Sequence, residues 1–88
     1  MTFMITYSFP SEARSAAQER FKKTGGTPGA GVKMLGRWHA IAGNHGFVLA
    51  ESNDGVAIGK WMQEWTDLLE FEVIPVNNDE DVLKVLGA

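Results

Sequence analysis

The spacing of apolar residues along this 88-residue chain switches between that of a strand and that of a helix in a fixed order. Alternating apolar residues are typical of strands, and apolar residues three and four apart are typical of amphipathic helices. The patterns predict strand, helix, strand, strand, helix and strand over Thr2–Phe9, Ser11–Lys23, Val32–Ala42, Phe47–Ser52, Asp54–Leu69 and Glu70–Val76. This order predicts an α+β, ferredoxin-like βαββαβ fold, in which two helices cover one face of a four-stranded antiparallel sheet.

The predicted domain covers residues 1–76, and residues 77–88 form a C-terminal tail. The tail is predicted to contain a short helix over residues 79–86, capped by Gly87, that contacts the domain or a partner subunit. Its contact residues are Val82, Leu83 and Leu86. Because the helices cover one face of the sheet and the strands carry apolar residues on both, the second face needs a cover. We therefore predict a homodimer in which two sheets pack together as a dimeric α/β barrel.

Composition and charge exclude several classes of function. The eight basic residues are scattered in a chain of net charge −3, so the cationic stripe typical of nucleic-acid binding is absent and no nucleic-acid partner is predicted. The chain has no cysteine, which excludes disulfides, thiolate nucleophiles and thiolate-bound metals. No apolar stretch reaches the roughly 18–20 residues that span a bilayer, and the N-terminus lacks a basic leader region. These features predict a cytoplasmic protein without a membrane partner.

Two motifs resemble cofactor sites but do not predict one. The glycine-rich segment over residues 24–31 follows a helix and precedes a strand, whereas a phosphate-binding loop leads from a strand into a helix. A helix C-cap and a turn are predicted here instead. His39, His45, Glu51 and Asp54 lack the compact spacing of metal ligands, so no metal is predicted. No other cofactor is predicted.

The segment Gly36-Arg37-Trp38-His39 contains the main candidate residues. Arg37 and His39 share one face of the second predicted strand, and Trp38 lies on the other, where we expect it to pack beneath the helices. His39 is the candidate catalytic residue, because the ordinary pKa of histidine is about 6.5 and both protonation states are accessible near neutral pH. Tyr7, on a neighbouring strand, is a second proton donor.

The register of the predicted hairpin decides which residues accompany His39. A turn over residues 43–46 that pairs residue 41 with residue 47 places Leu49 opposite His39 and Glu51 opposite Arg37. A one-residue shift instead places Glu51 on the face of Trp38, and the cluster disappears. We favour the first register because it gives the Glu51 carboxylate a cationic partner, whereas the second buries it beneath the helices.

The predicted site therefore combines His39 with the ligand-binding residues Tyr7, Arg37, Leu49, Glu51 and Glu72. In it, Glu51 or Glu72 orients the imidazole, and a small apolar or aromatic molecule binds in a barrel cavity and exchanges a proton with His39. Two alternatives remain open: a noncatalytic ligand-sensing module and a homo-oligomeric interaction module. The sequence does not decide whether the protein is an enzyme. Trp61 and Trp65, one helical turn apart, are predicted to anchor the core, with a ligand-stacking wall as the alternative.

The sequence resembles a known family in several motifs. These are Gly36-Arg37-Trp38-His39, Glu51, the pair Trp61 and Trp65, and the segment from Asp67 to Val76. The family is a group of small bacterial proteins catalogued as a domain of unknown function (family 3303) in the dimeric α/β barrel superfamily. The resemblance covers about Met1 to Val76 and implies the ferredoxin-like fold and a dimer, but no established activity. The superfamily includes cofactor-free oxygenases, haem-degrading proteins, lactone isomerases and ligand sensors, so it implies no single function. Membership of this superfamily is also compatible with haem bound through His39, although the sequence itself has no independent sign of a haem site.

Overall fold

The computed structural model describes all 88 residues and has the predicted order of strands and helices. A short 3₁₀ turn at Ser11–Ala13 precedes the first helix. The elements are β1 (Thr2–Ser8), α1 (Arg14–Thr24), β2 (Lys33–His39), β3 (His45–Glu51), α2 (Gly55–Gln63), β4 (Glu70–Val76) and α3 (Asp79–Val85). The strands form one antiparallel sheet in the order β2-β3-β1-β4. The ferredoxin-like fold is therefore confirmed.

The core lies between α2 and the helix-facing side of the sheet. It consists of apolar residues from β1, β3 and α2, namely Ile5, Val48, Ala50, Ile58, Trp61 and Met62. Trp61 and Trp65 are only 3% and 7% exposed, so their predicted role as core anchors is confirmed. Burial of one large apolar side chain stabilises a fold by about 1.5–3 kcal/mol, so α2 contributes heavily to stability.

The helix ends follow the sequence signals in part. Asp54 caps α2 by accepting a hydrogen bond from the Val56 N–H. Gly25 ends α1 in a left-handed conformation (φ 71°) and donates its N–H to the Phe21 carbonyl, which confirms the predicted C-cap. The Ser11 side chain, however, caps no helix, because the chain first makes the 3₁₀ turn that follows Pro10.

The last strand lies at an edge of the sheet, and the exposed tail follows it. β4 has the predicted bounds and is an edge strand, which is the position that Pro75 requires. The apolar residues of α3 remain exposed, with Val82, Leu83 and Leu86 at 42%, 53% and 73%. Docking of the tail on its own domain is therefore wrong, and its contact with a partner subunit stays a prediction. No helix of the protein is both long and apolar enough to cross a bilayer.

The register between β2 and β3 differs from the predicted one. Phe47 pairs with Trp38 rather than with Ile41, because β2 ends at His39 and residues 40–44 form the loop. Ala42 adopts a left-handed conformation (φ 57°) within this loop. A three-residue shift is odd, so it exchanges the two faces of one strand relative to the other. Trp38 consequently lies on the open face of the sheet and is 60% exposed, instead of packing beneath the helices.

The open face of the sheet, which carries no helix, is rich in exposed apolar side chains. Met4, Phe47 and Ile74 are 38%, 44% and 41% exposed on neighbouring strands, beside Trp38. Leu35, at a bulge in β2, is 43% exposed. The expectation that neither face of the sheet is suited to water alone is therefore confirmed.

Candidate functional site

A cavity of about 500 Å³ lies between α1, α2 and the helix-facing side of the sheet. This volume is within the range of roughly 300–1,000 Å³ that is common for small-molecule sites. Ala17 and Phe21 of α1 form one wall, and Trp61 and Trp65 line the cavity from the side of the core. The tryptophans therefore serve both as core anchors and as cavity wall.

Tyr7 and His39 form a polar pair in this cavity. The Tyr7 hydroxyl is hydrogen-bonded to His39 Nδ1, although the residues lie on β1 and β2 with β3 between them. Both residues pair with Gly46 of β3. A Cβ atom on Gly46 would lie 2.6 Å from Tyr7 Cζ and 2.6 Å from the Trp38 carbonyl oxygen. Glycine at this position therefore allows the phenol to cross β3 and reach the imidazole.

Arg37 fixes the end of α1 against β2. Its Nη1 and Nη2 atoms donate hydrogen bonds of 2.7 Å to the carbonyl oxygens of Gly26 and Gly25. Its guanidinium carbon lies 4.9 Å from the centroid of the Phe21 ring, in a cation–π contact. Phe21 in turn meets the His39 ring edge-on, with centroids 5.5 Å apart. These contacts hold one end of the cavity wall in place.

Burial and the Arg37 charge set the protonation states of the pair. Burial raises the pKa of Tyr7, and Arg37 partly offsets this. Partial burial, followed by repulsion from Arg37, lowers the pKa of His39 below its ordinary value. At neutral pH the pair is therefore a neutral phenol and a neutral imidazole. When Nδ1 accepts the phenol proton, Nε2 carries the imidazole proton.

The structure brings only part of the predicted site together. Tyr7, Arg37 and His39 line the cavity, whereas Leu49, Glu51 and Glu72 do not. Leu49 and Glu51 lie on the open face, where Glu51 pairs with Lys33. The odd shift in register instead turns Arg37 and His39 toward the helices, so the predicted position of these two residues on the open face is wrong. Glu72 pairs with Thr6, the neighbour of Tyr7 in β1, and so also lies on the open face. The predicted Arg37–Glu51 pair and the predicted carboxylate beside the imidazole are therefore wrong.

Several residues that line the cavity were not among the site residues predicted from the sequence. Arg14, Phe21 and Lys22 line the cavity from α1, and Gly46 makes room for Tyr7. Residues 14, 17, 18, 21 and 22 have the three-and-four spacing of a single helix face, which is a readable signal. Gly46 inside a strand also marks a close approach, but its position beside Gly43 and Asn44 favoured a turn.

The structure contains no group of three or more His, Asp or Glu residues placed to hold a metal ion. The polar side chains that face the cavity suit an organic molecule better, because they combine a phenol, an imidazole and cations with aromatic walls.

The chain belongs to the family described as Domain of unknown function (DUF3303), whose pattern matches residues 1–88. The resemblance found in the sequence is thus confirmed, and the match also includes the tail. No curated protein matches the chain significantly. The chain is similar to a crystal structure from Deinococcus radiodurans described as a candidate antibiotic biosynthesis monooxygenase, at 8% identity and a TM-score of 0.46. That similarity covers 89% of this chain and 94% of the other, and it supports no inference about function.

Proposed function

We propose that this protein binds a small, largely apolar molecule in the cavity between α1 and the sheet, and that Tyr7 and His39 exchange a proton with it. The observation that carries this proposal is the hydrogen bond between Tyr7 and His39 at a cavity whose remaining wall is mostly apolar. Gly46 supports it further, since this residue leaves the space that the pair needs.

The proposed step is a proton relay. Tyr7 donates its hydroxyl proton to His39 Nδ1 while its oxygen takes a proton from the bound molecule. The molecule becomes an anion, Tyr7 is again a phenol, and His39 becomes an imidazolium. The lowered pKa of His39 keeps the imidazole neutral beforehand and favours return of the proton to the same molecule or to a product of it.

The test compares the two histidines of the chain. His39 lines the cavity, whereas His45 lies outside it and is exposed, so His45→Gln is the matched control for His39→Gln. Native mass spectrometry of the purified protein should detect a retained small molecule in wild type and in His45→Gln, and much less of it in His39→Gln. Equal retention by both variants, with both folded, would remove His39 from the site.

Proton transfer is tested separately from binding. Once the retained molecule is identified by its mass, exchange of its acidic carbon-bound hydrogen with D₂O is followed by NMR. Wild type should accelerate this exchange with a rate that increases with pH as His39 loses its proton. Tyr7→Phe removes the hydroxyl that relays the proton, and it should slow exchange while leaving binding nearly unchanged. Exchange as fast with Tyr7→Phe as with wild type would leave a ligand-binding protein without proton chemistry.

We also propose that a second copy of the chain covers the open face. Trp38, Phe47 and Ile74 are the exposed apolar residues that favour this arrangement, because a globular domain rarely leaves such a patch uncovered. Phe47→Glu places a charge at the patch and should give a monomer by light scattering. Val56→Glu is the control, because Val56 is 65% exposed on α2, away from the sheet, and this variant should remain dimeric. A monomeric wild type at micromolar concentration would contradict the proposal.

A further inference from the structure

We propose that the molecule bound in the cavity is an organic anion, with an apolar or aromatic body and an acidic group such as a carboxylate. This inference rests on the proposed function, and it names the class of ligand. Three of the eight basic residues of the chain line the cavity, and none of the eleven acidic residues does. The cavity is therefore cationic in a protein whose net charge is −3.

The three cations are Arg14, Lys22 and Arg37, and no carboxylate neutralises them. The ion pairs of the protein are Arg20–Asp67 and Lys84–Glu80, both outside the cavity. Arg14 donates one hydrogen bond of 3.2 Å to the Gly43 carbonyl. The Lys22 ammonium makes no hydrogen bond to the protein. Backbone carbonyls accept hydrogen bonds from Arg14 and Arg37, but they do not cancel the positive charge of either residue. The cavity therefore retains a positive potential.

The positions of the cations, at both ends of an apolar stretch, fit a ligand with an apolar body and an acidic group at an end of it. Lys22 and Arg37 lie at the C-terminal end of α1, where Arg37 holds the Gly25 and Gly26 carbonyls. Between Lys22 and Arg14, at the other end of α1, the cavity-facing residues include Ala17 and Phe21. Arg37 keeps three of its five N–H donors free of protein partners, since it makes two hydrogen bonds.

The helix dipole explains why a lysine is favoured at this end of α1, but not why Lys22 faces the cavity. Lys22 and Lys23 both lie in the last turn of α1, where a cation is favoured next to the free carbonyls. Only Lys22 lines the cavity, so the two adjacent lysines share the dipole and differ in their access to a bound ligand. This difference makes Lys23 a matched control for Lys22.

The experiment uses two fluorescent probes with the same aromatic body. 8-Anilino-1-naphthalenesulfonate carries a sulfonate, and N-phenyl-1-naphthylamine is its neutral counterpart. Wild type should bind the anionic probe more tightly than the neutral one. Lys22→Gln should weaken binding of the anionic probe about three- to tenfold and leave the neutral probe within about twofold, whereas Lys23→Gln should change either probe by less than about twofold.

Each outcome bears on a different proposal. If the neutral probe binds as tightly as the anionic one, or if Lys22→Gln and Lys23→Gln have equal effects, the inference of an anionic ligand is overturned and the cavity stays a binding site. Gln18→Trp fills the cavity from the exposed side of α1 and should weaken binding of both probes. If this folded variant binds both probes as wild type does, the cavity is not the binding site and the proposed function fails with it.

Discussion

Replacing Gly46 with alanine is the sharpest single test of how the site is built. Gly46 lies in β3 with an ordinary extended conformation, so alanine meets no backbone strain there. The cost comes from space, because the new Cβ would lie 2.6 Å from both Tyr7 Cζ and the Trp38 carbonyl oxygen. The carbonyl belongs to the paired strand β2 and cannot rotate away, so the Tyr7 ring and the local pairing of β2 with β3 must both shift.

The expected cost follows from these contacts. Overpacking a buried site costs about 1–3 kcal/mol. Loss of the hydrogen bond between Tyr7 and His39 adds about 0.5–1.5 kcal/mol, and the better strand propensity of alanine returns about 0.5–1 kcal/mol. We therefore expect Gly46→Ala to lower the free energy of unfolding by about 0.5–4 kcal/mol. Gly59→Ala is the control: a Cβ added to Gly59 in α2 would have no neighbouring atom within 4 Å, and alanine there should stabilise by about 0.5–1 kcal/mol.

Urea unfolding monitored by tryptophan fluorescence measures both variants, and the NMR signals of the His39 ring report the hydrogen bond to Tyr7. In Gly46→Ala the His39 signals should shift, whereas in Gly59→Ala they should stay in place. A Gly46→Ala protein that is as stable as wild type and has an unchanged His39 spectrum would refute the idea that glycine is needed for the Tyr7–His39 pair.

Three further predictions concern charge. Arg37→Gln should raise the pKa of His39 toward its ordinary value, because it removes the repulsion that is the second cause of the lowering; an NMR titration of the ring protons measures this. Because the pKa of His39 is lowered on folding, the native state binds fewer protons than the unfolded state near this pKa. The free energy of unfolding should therefore decrease as pH falls below about 6.5. This decrease should be smaller in His39→Gln. Asp67 accepts two hydrogen bonds from Arg20, at 2.8 and 2.7 Å, which lower the pKa of its carboxyl. Asp67→Asn should therefore lower the melting temperature at neutral pH. This difference between variant and wild type should vanish at acid pH, where Asp67 is protonated in wild type.

Much of the fold is visible in the sequence because local chemistry determines it. β4 has its predicted bounds, since the alternation of its side chains begins and ends sharply at residues 70 and 76. The cap of α2 at Asp54 and the left-handed Gly25 at the end of α1 also follow from local chemistry. Each of these features depends on a few adjacent residues, which is the range over which sequence patterns are informative.

The site was harder to predict because it depends on register. Gly43, Asn44 and Gly46 are all typical turn residues, and nothing local separates a loop over residues 40–44 from one over residues 43–46. Glycine is required at position 46 because the ring of Tyr7, a residue 39 positions earlier in the chain, occupies the space that a side chain of residue 46 would need. The odd error in register put Arg37 and His39 on the open face with Leu49 and Glu51, whereas in the structure Arg37 and His39 face the helices. They still meet Tyr7 there, because Tyr7 lies on the same side of the sheet.

The cavity and the core occupy the same face of a small sheet, and this limits the stability of the isolated chain. Only 13 of the 88 residues are buried, and the apolar core cluster has six members, on the same side of the sheet as the cavity. A domain of this kind gains stability from what it binds: a ligand at 100 times its dissociation constant adds about 2.7 kcal/mol to the free energy of unfolding. A partner that covers the open face, where Trp38 and Phe47 are exposed, adds a contribution that increases with protein concentration. If the chain dimerises, the melting temperature should therefore rise with protein concentration. It should fall when the ligand is removed from the cavity. Melting curves recorded over a series of protein concentrations, with and without ligand, measure both effects.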